Sequence, residues 1–422
     1  MSSETPVRPT VLFVTRNPVV RETSGSTTLI LTLLELLRAQ GCEVTVLSTL
    51  AYSRSPRVAF QARVPLPEGV RYRAPGYVQA AGILLRSFAL KAWARDVCRA
   101  STKVALFRPL CLLMEWMYGD RLYTNAWDLT LPTAKELRVA KREAERIGAS
   151  CVIANYAIWA PLFAELPAET TKIIMAHDLL SARVERMLAA GDSLDCPQIS
   201  EAEELQWLNA ADVVLAAQDT EATYLRERLQ ARVMTQPIVM KLQEPSQEVT
   251  PHRCLFVGGH ILPNVSGMAF FLDEVWPRVR QAVPDAEFVV AGTIGQAELA
   301  GFQQPGVVRL GRVPRLEGEY NLAAVCVVPL VVGSGIKIKL LEALSFGKAC
   351  VATSVGVQGL EGLTDGTIAV ADTAEAFADE VIALLLSAER RKTLEQGAVR
   401  LAREQFGPSS EAVRSFLHLL LG

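Results

Sequence analysis

The sequence of 422 residues lacks any long run of uncharged apolar residues. No such run approaches the ~18 residues that a membrane-spanning helix needs, and no hydrophobic signal region stands near the N-terminus. The net charge is only −2, which gives no general electrostatic attraction to nucleic acid. Half of the residues are hydrophobic, as in a soluble globular enzyme. We therefore expect a cytoplasmic protein that neither crosses a membrane nor binds nucleic acid.

Two signatures of bound metal or cofactor are also absent. The cysteines show no CxxC or other metal-ligand spacing, so we expect reduced and mostly buried thiols. They stand at positions 42, 98, 111, 151, 196, 254, 326 and 350. No Gly-x-Gly-x-x-Gly follows a predicted strand, which argues against a dinucleotide dehydrogenase.

Short apolar strands alternate with helices almost throughout the chain. This pattern predicts parallel sheets that are covered by helices on both faces. Because the chain is longer than an ordinary domain with a single core, we expect an α/β protein with two domains. The predicted strands are 11–15, 43–47, 151–154, 172–175 and 213–216 in the first half, and 254–257, 287–291, 307–310, 325–329, 349–352 and 368–370 in the second.

The segment after the predicted strand 325–329 is the most informative feature of the sequence. A glycine-rich turn at 333–335 leads into a helix that carries Lys337, Lys339 and, one turn further on, Glu342. The N–H groups at a helix start attract an anion, glycine admits phosphate oxygens to the backbone, and lysines add positive charge. A carboxylate would repel phosphate but can bind a hydroxylated part of the same ligand, such as a ribose. The pattern indicates a nucleotide site, with an ordinary strand–helix connection as the alternative.

The segment 333–360 resembles the donor-nucleotide loop of retaining GT-B glycosyltransferases of family 4. In that family two glutamates separated by seven residues usually flank the loop. Here Glu342 occupies the second position and Ser334 stands at the first. A branch of the family carries a Gly-Ser-Gly-x3-Lys loop instead, and this sequence follows that branch. The resemblance extends, in order and spacing, to 256–264, 271–284, 290–292 and 308–330 in the second half, and to 176–178 and 203–214 in the first.

The resemblance implies the GT-B fold, in which two Rossmann-like domains face each other across a cleft. We expect an N-terminal acceptor domain at 8–240, with a helical insertion at about 83–130. A nucleotide-sugar donor domain is expected at 252–405, after a polar linker at 239–253. A last helix at 408–422 is expected to pack back on the N-terminal domain.

The same resemblance implies that a sugar moves from a nucleoside-diphosphate sugar to a glycan, glycolipid or small-molecule acceptor with retention of configuration. In such enzymes the departing phosphate takes the acceptor's proton. The protein then holds two substrates and stabilises charge on the diphosphate. The metal-binding Asp-x-Asp of the other main glycosyltransferase fold does not occur in the sequence. We therefore expect neither a metal nor a cofactor beside the nucleotide-sugar co-substrate.

The resemblance also assigns residues to the donor. The expected donor-binding residues are Gly258, Gly259, Asn264, Ser334, Gly335, Lys337, Lys339 and Glu342. Lys339 is also expected to be catalytic, by stabilising the leaving diphosphate, and Glu342 to bind the ribose. Many family members carry an Arg and a Lys after the first strand of the donor domain. This pair is missing, and the N–H groups of Gly258 and Gly259 and the side chain of Asn264 are the candidates to replace it.

Four residues of the first domain are implicated as well. His177 directly follows the predicted strand 172–175, at the carboxyl end where open α/β sheets bind ligands. By resemblance it is catalytic and contacts the transferred sugar through a hydrogen bond; packing under the loop is the alternative. Asp178 is expected to cap or orient on the acceptor side. Gly25 and Ser26 lie where the family's acceptor loop approaches the donor, or simply begin a helix.

The segment 83–117 interleaves leucines and aromatic residues with lysines and arginines. Such a basic amphipathic stretch can lie peripherally on the inner face of the cell membrane or receive a lipid-linked acceptor. It can equally pack its apolar face on the sheet.

Two other functions stay open. A nucleotide-sugar epimerase shares the fold, although it needs carboxylates and a histidine around the reacting carbon. A nucleotide-sugar-binding subunit without catalysis would account for Ser334 and for the missing Arg and Lys pair.

Overall fold

The structure is a computed structural model. It divides into two compact units, with the division for most of the chain at residues 236 and 237. It describes residues 8–16, 25–49, 60–62, 66–76, 78–80, 83–85, 129–189, 194, 196–244, 246, 248–313, 315–333 and 335–421.

The first unit is built on seven parallel strands. They are β1 (Thr10–Thr15), β2 (Glu43–Ser48), β4 (Arg71–Arg73), β7 (Cys151–Asn155), β8 (Thr171–Ala176), β9 (Val213–Ala216) and β10 (Arg232–Thr235). Their order in the sheet is β10-β9-β8-β7-β1-β2-β4. The chain therefore winds outward from β1 in one direction and then from β7 in the other, so the order reverses between β1 and β7. Ligands of open α/β sheets bind at such a reversal, beyond the carboxyl ends of the strands.

The helices of this part of the chain follow the strands closely. They are α1 (Gly25–Ala39), α2 (Ala134–Ile147), α3 (Ala160–Phe163), α4 (Leu180–Ala189), α5 (Glu201–Leu208) and α6 (Asp219–Arg226). Helix α2 begins at a capping box, in which Thr133 and Glu136 satisfy each other's backbone N–H groups, and ends at Gly148 in the left-handed conformation. Local sequence therefore sets both ends of α2.

The prediction of a helical insertion at about 83–130 is wrong for its first three residues. Residues 83–85 form a strand, β6 (Ile83–Leu85), which pairs antiparallel with β3 (Phe60–Ala62) and β5 (Val78–Ala80). Three consecutive apolar residues pair there as a strand, because the charged residues on which the amphipathic prediction depended begin only at Arg86. Residues 86–128 lie outside the described residues, as does most of the membrane contact predicted at 83–117.

The second unit contains a six-stranded parallel sheet. Its strands are β11 (Arg253–Val257), β12 (Glu287–Ala291), β13 (Val307–Gly311), β14 (Val325–Val328), β15 (Ala349–Ala352) and β16 (Ala369–Val370). Their order is β13-β12-β11-β14-β15-β16. Numbered within the unit this is 3-2-1-4-5-6, the Rossmann order, and its reversal lies between β11 and β14.

The second unit also contains seven α-helices among its described residues. They are α7 (Leu262–Phe270), α8 (Trp276–Ala282), α9 (Glu317–Leu322), α10 (Ile338–Ser345), α11 (Ala374–Leu386), α12 (Ala388–Phe406) and α13 (Glu411–Leu421). A π-helical turn at Phe271–Val275 joins α7 to α8. Phe271 packs on Phe288, with ring centroids 4.5 Å apart, and on Trp276 and Phe377. This aromatic cluster forms the middle of the core.

The predicted α/β class is confirmed, and every strand predicted from the sequence occurs within two residues of its expected ends. The C-terminal helix is present as α13; its packing on the first domain stays a prediction. The described cysteines are buried, as expected. Among the described residues, no helix is both long and apolar enough to span a membrane.

Candidate functional site

The predicted nucleotide loop lies at the point of the second sheet where ligands of such folds bind. Strands β11 and β14 are hydrogen-bonded neighbours on either side of the reversal. The turn 258–261 leaves the carboxyl end of β11, and the loop 329–337 leaves the carboxyl end of β14. The topology therefore brings the two predicted donor segments together, although some 70 residues separate them in the sequence.

Two glycines give the loop after β14 its shape. Gly333 has φ +136° and Gly335 has φ +69°, which other residues rarely adopt. Among the described residues, and apart from its own chain neighbours, no atom lies within 4 Å of the position where a Cβ of Gly335 would stand. Conformation, rather than crowding, therefore requires glycine here, and the space beside the backbone is open. Ser334 lies outside the described residues.

Lys337 ties this loop to the one that follows β15. It stands at the N-cap position of α10, where its Nζ donates to the carbonyl oxygen of Gly335 at 2.5 Å and to Oε1 of Gln358 at 2.8 Å. Its side chain is buried. Lys337 thus holds two loops of the same sheet edge together.

Lys339 lies in the first turn of α10, and its amine contacts two uncharged side chains. Its Nζ donates to Oδ1 of Asn264 and lies 4.4 Å from the centroid of the Phe256 ring. Burial, and then the neighbouring charge of Lys337, lower the pKa of Lys339 to about 7, while the charge of Glu342 opposes them. The amine can therefore gain or lose its proton near neutral pH.

Glu342 is held from the other side by Tyr320. The Tyr320 hydroxyl donates to Oε2 of Glu342 at 3.2 Å, and its ring stacks on Phe346 at a centroid distance of 4.7 Å. Burial raises the pKa of Glu342, against the hydrogen bond from Tyr320 and the charge of Lys339. Tyr320 is itself buried, so it fixes the direction in which the carboxylate points.

The polar groups of Gly258 and Asn264, which we expected to contact phosphate, make hydrogen bonds within the protein. The N–H of Gly258 donates to the carbonyl oxygen of Ala291 at 2.9 Å and is used in the sheet. Asn264 donates through Nδ2 to the carbonyl oxygen of Gly259 at 2.7 Å, and its Oδ1 accepts from Lys339. Both polar groups of Asn264 are engaged, because its side chain is buried against this turn.

In the first unit, His177 follows β8 as predicted and lies beside the reversal of that sheet. Its Nε2 is 2.7 Å from Oδ1 of Asn155, whose Nδ2 donates to Thr15 at 3.0 Å. Its Nδ1 is buried and has no hydrogen-bond partner among the residues that the structure describes. Burial lowers the pKa of His177 to about 3, so the ring is neutral at pH 7. Nδ1 is not presented to solvent, which disfavours this nitrogen as a general base; the contact of His177 with the transferred sugar stays a prediction.

The backbone next to Asn155 is strained. Tyr156 has φ +73° and ψ 155°, a conformation that is otherwise confined to glycine. Its ring lies against His177, with centroids 4.8 Å apart. The strand end therefore places an aromatic ring over the histidine.

The acceptor-side residues are only partly defined. Asp178 lies 3.6 Å from Arg183 of α4, which is consistent with the orienting role we expected. The first turn of α4 is held by Glu204 of α5, which accepts from the N–H groups of Leu180 at 2.7 Å and Ser181 at 2.8 Å. Gly25 and Ser26 are the first residues of α1, and nothing further is defined for them.

Sequence reasoning missed Asn155, Phe256 and Gln358. Each is a neutral residue without a charge pattern of its own, and each becomes relevant only through a partner 20 or more residues away. Within the described part of the chain, no cluster of three or more His, Cys, Asp or Glu side chains is placed to hold a metal ion.

Comparison with known proteins agrees with this geometry. Residues 251–387, within the second unit, match the family model described as glycosyl transferases group 1. A 44.6 kDa protein in the cps region of Klebsiella pneumoniae is 26% identical over 143 residues, which are 31% of this chain and 37% of that protein. The match thus spans little more than a third of that relative's length.

Solved structures resemble the chain over nearly its whole length. The sucrose-phosphate synthase of Thermosynechococcus elongatus has a TM-score of 0.63 and 16% identity, covering 98% of both chains. Anabaena HepE, determined with UDP and glucose, has a TM-score of 0.58 and 12% identity, covering 98% of this chain and 99% of its own. The chain therefore has the GT-B fold, with two Rossmann-like α/β domains, and its second domain carries the group 1 glycosyltransferase match.

Proposed function

We propose that the protein is a glycosyltransferase that takes a sugar from a nucleoside-diphosphate sugar bound at the reversal between β11 and β14. The observation that carries the proposal is the convergence of Lys337, Lys339 and Glu342 beside an open loop with two positive-φ glycines. Two amines suit a diphosphate, and a carboxylate held by Tyr320 suits the hydroxyl groups of ribose. The UDP held by HepE and the group 1 match support the same donor class.

The chemistry follows from what these groups can supply. Breaking the bond between sugar and phosphate develops negative charge on the leaving diphosphate, which Lys337 and Lys339 stabilise at short range. The leaving phosphate can accept the proton of the attacking acceptor hydroxyl, so no protein base is required at that step. This agrees with a neutral, shielded His177. Retention of configuration and independence of metal belong to this proposal, as do a hexose as the sugar and a cytoplasmic location.

For the acceptor, we propose only the chemical class. A glycan, a glycolipid or a small hydroxylated molecule is expected, since the transferred sugar needs an attacking hydroxyl group. Peripheral membrane contact through 83–117 stays a prediction. Liposome co-sedimentation that does not depend on anionic lipid would contradict it.

Turnover of a panel of uridine, guanosine and adenosine diphosphate sugars tests the proposal. We expect one donor to raise the melting temperature and to be hydrolysed slowly without acceptor, because water replaces the missing hydroxyl. No turnover of any donor, with binding retained, would support a binding subunit instead. Conversion of the donor to its epimer without release of nucleotide would indicate an epimerase.

The variant Glu342→Ala tests the ribose contact. Loss of hydrogen bonds to a charged acceptor should weaken donor binding by about 1.5–3 kcal/mol, measured by titration calorimetry. The matched control is Glu317→Ala, an exposed glutamate of α9 in the same unit, which should bind as the unchanged protein does. Equal affinities for the Glu342→Ala and control proteins would remove the assignment.

A further inference from the structure

The amine of Lys339 lies in a seat formed by residues that are far from Lys339 in the sequence. The seat consists of Phe256 at the end of β11, Gly258 and Gly259 of the turn, and Asn264 of α7. The Lys339 Nζ donates to Oδ1 of Asn264 and lies 4.4 Å from the centroid of the Phe256 ring. A cation is attracted both by an amide oxygen and by the face of an aromatic ring. Both contacts therefore favour a charged amine at this one position.

The orientation of Asn264 is set by the turn itself. Its Nδ2 donates to the carbonyl oxygen of Gly259 at 2.7 Å, and its side chain is only 3% exposed. A carbonyl oxygen can only accept, so it selects the amide orientation that turns Oδ1 towards Lys339. Asn264 thus acts as a rigid bracket between the turn after β11 and helix α10.

The lack of a side chain at Gly258 leaves space for the side chains of Asn264 and Phe256. A Cβ on Gly258 would lie 2.7 Å from Cε1 of Phe256 and 2.9 Å from Nδ2 of Asn264, closer than side-chain carbons approach such atoms. Any other residue would push apart the two groups that contact the Lys339 amine. The glycine is therefore explained by the seat and needs no contact with phosphate.

The charges around the seat act on the protonation of the Lys339 amine in opposite directions. Lys337 and Glu342 are the charged groups that act on Lys339, one disfavouring and one favouring its protonation. The seat itself is uncharged. An approaching dianionic group would therefore meet an amine that is held in place but whose charge is not already neutralised by a carboxylate in the seat.

We propose that Asn264, with Gly258 making room for it, is a positioning residue that acts through Lys339 and holds that amine towards the donor diphosphate. The turn after β11 thereby contributes to the site without a cation of its own, because it presents one supplied by α10. This inference rests on the proposed function for its purpose, but the coupling between Asn264 and Lys339 can be measured without any donor.

The ligand-free test is the titration of the Lys339 amine, read by competitive acetylation over a range of pH with peptide mass spectrometry. Removing the neutral acceptor in Asn264→Ala should lower the midpoint. Placing a carboxylate there in Asn264→Asp should raise it by about one to three pH units. Ser266→Ala on the same helix, whose hydroxyl donates to the carbonyl oxygen of Leu262, is the control and should leave the midpoint unchanged. Identical midpoints in all four proteins would overturn the inference.

The second test is a double-mutant cycle with whichever of UDP, GDP or ADP binds the unchanged protein most tightly. Asn264→Ala should weaken binding about tenfold in the native background and less than about twofold in a Lys339→Ala background. An equal loss in both backgrounds would show that Asn264 does not act through Lys339, and would overturn the inference. If none of the three nucleotides binds the unchanged protein, the proposed function fails, while the acetylation result still decides the coupling.

Discussion

At the scale of single residues, burial decides the protonation state of the groups at both sheet edges. Burial alone lowers the pKa of His177 to about 3, so the ring is neutral. Burial and the charge of Lys337 lower the pKa of Lys339 to about 7 against the charge of Glu342, so this amine is partly protonated near pH 7. Glu342 keeps a hydrogen bond from Tyr320, which offsets part of the cost of burying a carboxylate. The pH dependence of donor binding should therefore come from Lys339 rather than from His177.

We predict that donor affinity falls as the pH rises from 6 to 9. The charged amine attracts the diphosphate, and this form dominates below a pKa of about 7 and disappears above it. The loss should reach about tenfold, the value of a charge-assisted hydrogen bond. Calorimetry with an intact nucleotide sugar measures it, because the esterified diphosphate does not titrate in this range.

Lys339→Arg is the matched variant for this prediction. Arginine stays charged throughout, so its profile should be flat between pH 6 and 9. A profile that falls as steeply in the arginine variant would assign the pH dependence to another group.

At the scale of elements, one helix caps the start of a neighbouring helix, which the sequence of the capped helix does not indicate. Three acidic residues stand in the first turn of α5, where the helix dipole favours them. Glu203 does close a capping box on its own helix with Ser200. Glu204 instead turns away and satisfies the first N–H groups of α4, directly after His177 and Asp178. One element thus holds the loop of another.

Glu204→Ala should destabilise the protein by about 1.5–3 kcal/mol, because it leaves two N–H groups and the hydroxyl of Ser181 without their acceptor in a buried place. Urea denaturation followed by circular dichroism measures the change. Glu185→Ala, at an exposed position of α4, should stay within about 0.5 kcal/mol of the unchanged protein. A similar small change for Glu204→Ala would show that water replaces the carboxylate.

At the scale of the whole molecule, the same winding occurs twice. Each unit has a parallel sheet whose order reverses next to its first strand, between β1 and β7 and between β11 and β14. The residues that implicate a nucleotide all belong to the second unit, whereas Thr15, Asn155 and His177 meet at the reversal of the first. A nucleoside diphosphate without its sugar should therefore act on one unit.

Hydrogen exchange tests this division of labour. At a concentration of 100 times Kd, a bound nucleoside diphosphate adds about 2.7 kcal/mol of stability to what it binds. Exchange should slow in peptides covering β11, β14 and α10, and stay unchanged in those covering β7 to β9. The Glu342→Ala protein at the same nucleotide concentration should show weaker protection. Protection confined to the first unit would contradict the proposed site.

Much of this could be predicted from the sequence, because it depends on local pattern. Apolar runs bounded by glycine and polar residues defined the strands, and the glycines and lysines after β14 marked the nucleotide loop. The strand β6 was missed because three apolar residues followed by charged ones also suit the start of an amphipathic helix. Asn155, Phe256 and Gln358 were missed because each is uncharged and meets its partner only in the folded chain.

The amino-acid sequence by itself determined the α/β class, the strands and the chemical kind of the loop, since period, glycine and charge act over a few residues. Only the tertiary structure decided which groups stand beside one another. It placed Asn264 against Lys339, used the N–H of Gly258 in the sheet, and shielded Nδ1 of His177. Hydrogen bonds and burial are properties of neighbours in space, and the order of strands in the sheets chooses those neighbours.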